Sequence, residues 1–104
     1  MSVKYLQSGD VCKIKDGEYC AIAYAGYDYM RECYTTILTV PIVHRDALAP
    51  DYGVKVPVEV AFQKVAVRCD LLQAAQPDEL TKVDRLSLGE VKMMKEGIRL
   101  VMEL

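Results

Sequence analysis

The run V-K-V-P-V-E-V at residues 54–60 most narrows what this chain can become. Every second residue is valine, and Phe62 extends the same parity. Side chains alternate across a β-strand, so Val54, Val56, Val58, Val60 and Phe62 are expected on a buried face, with Lys55, Pro57 and Glu59 opposite. A helix would scatter those valines around its circumference. The next segment, residues 64–70, reads as a second strand, with Gln63 and its neighbours as the turn between them. It ends V-A-V-R-C-D, which sets Arg68 and Asp70 on one face and Val65, Val67 and Cys69 on the other.

Other segments follow the same logic. V-C-K-I-K-D-G-E-Y-C-A-I-A-Y predicts a hairpin over about 10–25, because Asp16-Gly17 suits a two-residue turn whose positions both need positive φ. Lys13 and Lys15 share its polar face. Residues 26–33 read as a loop, and the β-branched run 34–43 as a central strand ended near Pro41. Residues 44–53 are a polar connection, and a short strand is expected around Leu80–Leu86. Ser87-Leu88-Gly89-Glu90 fits a capping box and opens a helix over about 87–103. Its stripe of Val91, Met94, Ile98 and Val101 requires a partner surface, from this chain's sheet or from a second subunit. The sum is a mainly β chain with a C-terminal helix, best arranged as a small antiparallel barrel.

Composition sets outer limits. At 104 residues, 52% hydrophobic and 27% charged, the chain is expected to be a single domain, 1–104, and not disordered. No apolar run reaches the ~20 residues of a membrane span, and no signal-peptide core opens the chain, so a soluble, cytoplasmic protein is expected. Cys12, Cys20, Cys33 and Cys69 match no zinc spacing beside a single histidine, so no metal or other cofactor is expected and the cysteines read as reduced thiols. The formal charge of −2 opposes loose, charge-driven nucleic-acid binding.

The order of Gly9-Asp10-Val11, Thr39-Val40-Pro41-Ile42, Val67-Arg68-Cys69-Asp70 and the K-V-D-R-L-S leading into the helix resembles the PemK/MazF family of toxin endoribonucleases. The resemblance implies an SH3-like barrel, a homodimer, an antitoxin partner, and cleavage of single-stranded RNA without a metal. It also makes Arg68 and Asp70 catalytic. The chemistry fits: cleavage through the 2′-hydroxyl needs one group to take its proton, one to protonate the leaving 5′-oxygen, and a fixed cation for the phosphorane charge. Asp70 suits either the acid or the base, and Arg68 suits the cation.

The sequence departs from the family at three places. Glu18-Tyr19 stands where members usually carry Arg-Pro, Asp16-Gly17 replaces a long first loop, and Val43 replaces a threonine or serine. His44 is the nearest alternative proton shuttle. Arg45, Lys13 and Lys15 are candidates to hold phosphate. Tyr27, Tyr29 and Tyr34 gather in and beside one loop and suit either base stacking or packing. Two other readings use the same barrel. A gyrase poison of the CcdB type requires a tryptophan near the C-terminus, and this chain has none. A non-catalytic module that binds a protein partner requires only the groove.

Overall fold

The computed structural model describes residues 5–15, 17–45 and 55–103. Its strands are β1 (Asp10–Ile14), β2 (Tyr19–Asp28), β3 (Cys33–His44), β4 (Lys55–Val60), β5 (Gln63–Arg68), β6 (Gln73–Ala74) and β7 (Leu80–Arg85), followed by the helix α1 (Leu88–Glu103). All strand pairs are antiparallel, in the order β4-β5-β3-β2-β1-β7, with β6 beside β3. The expected barrel does not close, because β4 and β7 lie at the two ends of this path.

Side chains bridge the gap that the backbone leaves. Along the open edge, Pro57 has no N–H to satisfy, the Glu59 N–H donates to Glu90 Oε2 at 2.7 Å, and the Ala61 N–H donates to Asp84 Oδ2 at 2.9 Å. An edge strand that exposes its donors templates aggregation, so a proline and two carboxylates at alternate positions are an effective cover.

The valine alternation holds where the structure describes it. Val56 and Val58 are buried with Val67, Val11, Val40, Leu86 and Met94. The helix stripe closes the same core: Met94 is fully buried, with Val91, Ile98 and Val101 packed beside it. The stripe's partner is therefore this chain's own sheet. Ser87 and Glu90 form the expected capping box, with the Ser87 N–H donating to Glu90 Oε1 at 2.9 Å and the Glu90 N–H to Ser87 Oγ at 3.2 Å. A second core on the other face of the sheet holds Leu6, Cys12, Cys20, Ile22, Ile37 and Leu80.

Gly9 fits the chain under the start of the helix. Its φ is +95°, and an added Cβ would lie 2.5 Å from Val91 Cγ2. Its N–H donates to Ile22 O and its carbonyl accepts from the Leu86 N–H, both at 2.8 Å.

Three expectations are corrected. Phe62 is outside the core and 96% exposed, because the β4–β5 turn is Ala61-Phe62, with φ of 50° and 65°, and Gln63 already belongs to β5. The turn is the two-residue, left-handed kind favoured by strand twist, built here from residues that do not advertise it. The 26–33 loop shrinks to residues 29–32, where Asp28 Oδ1 accepts from the Met30 and Arg31 N–H groups. Finally, the strand ending the V-R-C-D motif stops at Arg68, and Asp70 lies in a 3₁₀ turn, Cys69–Leu71. Asp16, Val54 and residues 46–53 of the polar connection lie outside the described residues.

Candidate nucleic-acid interface

β5 carries Arg68 to the end of the sheet, and the chain then tightens into the 3₁₀ turn. Cys69 fixes that turn: it is fully buried and its Sγ–H donates to Met94 O at 3.5 Å. With Cys69 held inward, Asp70 comes back beside Arg68. The two form a bidentate pair, with Nε–H donating to Oδ1 at 2.9 Å and Nη2 donating to Oδ2. The strand parity expected from sequence is lost at Cys69, yet the two groups meet.

Both side chains stay in reach of solvent, 18% and 22% exposed. The hydrogen bonds from Arg68 hold the Asp70 carboxyl below the ordinary aspartate range against the opposing effect of burial, and the same bonds raise Arg68. At neutral pH Asp70 is thus a carboxylate and a proton acceptor.

The pairing register decides which other candidates share this site. Lys55 lies opposite Arg68 across β4–β5, on the same face. Its Nζ donates to Arg45 O at 2.9 Å. The Arg45 guanidinium turns toward the hairpin, with Nε–H donating to Val65 O at 3.3 Å and Nη2–H to Val58 O at 2.9 Å. Arg45 thus ties the end of β3 to both strands of the β4–β5 hairpin.

His44 pairs with Val65, and Ile42 with Val67. Parity puts His44 on the Val65–Val67 face, opposite Arg68, and roughly 10 Å away along the strand. Lys13 and Lys15 are exposed on and just after β1, in register with Tyr19 and β7, and β2 and β3 separate them from β5. The structure therefore brings together Arg68, Asp70 and Lys55, with Arg45 attached through its carbonyl. It does not bring His44, Lys13 or Lys15 to them. Sequence reasoning assigned Lys55 only to a solvated face; the β4–β5 register that makes it a neighbour of Arg68 has no local signature.

The first turn is short but is not the two-residue kind expected at Asp16-Gly17. The register Lys13↔Tyr19 sets Ile14 opposite Glu18, so three residues, 15–17, join the strands, and the Gly17 N–H donates to Ile14 O at 2.8 Å. Gly17 has φ of +99°, and the Ile14 N–H donates to Glu18 O at 2.6 Å. Tyr19 follows, lining a cavity of about 230 Å³ with Ile42, Val60, Val65 and Asp84 at the open seam between the β4–β5 turn and β7. Among the described residues, no group of His, Cys, Asp and Glu could hold a metal ion, and no helix is long and apolar enough to cross a membrane.

Among solved structures, this chain is similar to the Mycobacterium tuberculosis toxin MazF-mt6, with a TM-score of 0.66 over 94% of this chain and 98% of that one, at 18% identity. The fold is thus MazF-like. No protein-family model and no curated protein matches the sequence.

Proposed function

We propose that this protein is the toxin of a type II toxin–antitoxin pair and a metal-independent endoribonuclease acting on single-stranded RNA. The observation that carries this reading is the partly exposed, bidentate Arg68–Asp70 pair at the end of β5 in a MazF-like fold. A phosphodiester of the RNA displaces Asp70 from the Arg68 fork, since guanidinium binds phosphate and carboxylate with the same geometry. That exchange frees the carboxylate to accept the proton of the adjacent 2′-hydroxyl. The 2′-oxygen then bonds to phosphorus, Arg68 and Lys55 stabilise the phosphorane charge, and the P–O5′ bond breaks. The 5′-oxygen takes the proton that Asp70 accepted, directly or through water, which restores the carboxylate and leaves a 2′,3′-cyclic phosphate and a 5′-hydroxyl.

A cytoplasmic homodimer held inactive by its antitoxin completes this reading. A second reading, a non-catalytic module that binds a protein partner on the same fold, is favoured by two observations: His44 lies on the opposite face from Arg68, and Glu18-Tyr19 supplies no second cation.

The test is long single-stranded RNA incubated with the protein in EDTA, beside an Arg68→Ala variant. Discrete fragments with cyclic-phosphate ends from the wild type alone support the ribonuclease. Intact RNA in both lanes, from protein shown to be folded, supports the binding module.

A further inference from the structure

The tyrosines that the ribonuclease reading leaves unused form a second constellation, at the far end of the β2–β3 hairpin. Tyr34 lies near the start of β3 and Pro41 near its end, so the cluster stands roughly 20 Å from Arg68 along the strand. Tyr27 is its hub. Tyr5, Tyr29 and Tyr34 each meet Tyr27 nearly edge-on, at centroid distances of 5.3, 4.9 and 4.9 Å and interplanar angles of 82°, 71° and 76°. Tyr34 is tied down by hydrogen bonds with the Leu6 backbone N–H and carbonyl. Tyr5 and Tyr29 are 51% and 77% exposed.

Rings set nearly perpendicular to one another make the walls of a box, not a stack. The box is open, with a volume of about 500 Å³, and Glu32, Cys33 and Pro77 complete its lining. A second cavity is lined by the same four tyrosines and adds Gln7, Ser8 and Thr35. The cavity lining itself is negative through Glu32, with Asp28 capping the neighbouring turn and Asp78 and Glu79 following Pro77. Of the described cations, Arg31 shares the turn, Lys15 meets the Glu79 carbonyl through its backbone N–H, and Lys82 and Arg85 stand on the other side of Tyr5, where both pair with Asp10. Glu32 acts on the rings as well. Burial first, then the charges of Tyr5 and Glu32, push the Tyr27 phenol above its ordinary value.

Aromatic faces attract cations, and a carboxylate in the same cavity adds to that attraction. The same carboxylates repel a phosphate backbone, which weighs against base stacking here. Two cavities on the same rings, the second with the polar Gln7, Ser8 and Thr35, suit a chain better than a single small cation.

We propose that the Tyr5–Tyr27–Tyr29–Tyr34 box with Glu32 is a docking site for a basic peptide segment of a partner protein, seating a lysine or arginine side chain between the rings. This site is separate from the Arg68–Asp70 pair and does not depend on RNA cleavage.

The experiment uses a fluorescein-labelled peptide of alternating glycine, lysine and arginine at low salt. Its counterpart carries norleucine and citrulline in place of the cations, and a labelled single-stranded oligonucleotide serves as the competing class. Anisotropy reports binding, and alkylation of the exposed Cys33 thiol reports occupancy of the box. The expected result is binding of the basic peptide alone, with slower Cys33 alkylation. Tyr29→Ala and Glu32→Gln, both at exposed positions, should each weaken binding about two- to fivefold while circular dichroism and any RNA cleavage stay unchanged. The proposal is overturned by no binding of the basic peptide, by equal binding of the neutral one, by binding insensitive to both variants, or by a Tyr29-dependent preference for the oligonucleotide.

Discussion

Asp10 and Asp70 each hold an arginine, and they do so in opposite settings. Asp10 is fully buried: Oδ1 takes Arg85 Nη1 at 2.6 Å and Lys82 Nζ at 3.3 Å, and Oδ2 accepts the Gln7 N–H at 2.8 Å. The cations come in from β7 with about two-fifths of each side chain exposed. Asp70 meets Arg68 at a strand end, and both remain partly open to solvent. A buried carboxylate with all its bonds made by the protein locks β1, β7 and the N-terminal segment together. A carboxylate whose one partner can be taken over by phosphate is free to react. Residue type alone does not separate structure from chemistry; solvent access and the number of competing partners do.

The largest expected effects fall on the Asp10 side. Asp10→Ala should cost about 3 kcal/mol in urea unfolding, since it removes a buried charge on which two cations and a backbone N–H converge. Gly9→Val should cost at least as much, because the φ of +95° and the 2.5 Å approach to Val91 both oppose a side chain. Equal stability of either variant would break the contrast.

Next in size is the β4–β5 turn. Replacing Ala61-Phe62 with Asn-Gly gives the turn residues that its left-handed backbone favours and should raise stability by about 1 kcal/mol, read from the urea midpoint.

The thiols sharpen the comparison further. Burial raises Cys12 to about 12 and Cys20 and Cys69 to about 11, so in the native state iodoacetamide should label Cys33 alone, as counted by intact-mass spectrometry.

The smallest effect is on pH dependence. Hydrogen bonds lower the Asp70 carboxyl, and those from the Ser87 and Glu59 N–H groups lower Glu90 although burial pulls it up. A carboxyl lowered by folding adds stability that is complete above its unfolded value, near 4, and is lost as pH falls through the folded value. Asp70→Asn and Glu90→Gln should each flatten the fall in urea midpoint below about pH 4 and leave the slope between pH 6 and 8 unchanged.

Much of this fold was legible locally. The valine parity at 56, 58 and 60, the Ser87–Glu90 cap and the apolar stripe of the helix are short-range patterns, and each became the expected element. The Ala61-Phe62 turn was hidden because neither residue signals positive φ. Barrel closure was equally invisible: the seam depends on the long-range meeting of Asp84 and Glu90 with the edge of β4. For the site, the motif marked Arg68 and Asp70, which do meet, but their contact comes through a 3₁₀ turn held by Cys69 beneath Met94. Lys55 joins them, and His44 is excluded, only through strand register. Register couples residues distant in sequence, and no single segment encodes it.

The central proposal is that Asp70 serves chemistry while Asp10 serves the fold. The most direct test is Asp70→Asn, an isosteric change that keeps a hydrogen-bond acceptor toward Arg68, assayed on single-stranded RNA in EDTA with its unfolding curve measured alongside. The account predicts a loss of at most about 1 kcal/mol at neutral pH, as for a partly exposed ion pair, and no cleavage. Cleavage at the wild-type rate, or a collapse of stability like that expected for Asp10→Ala, would contradict it.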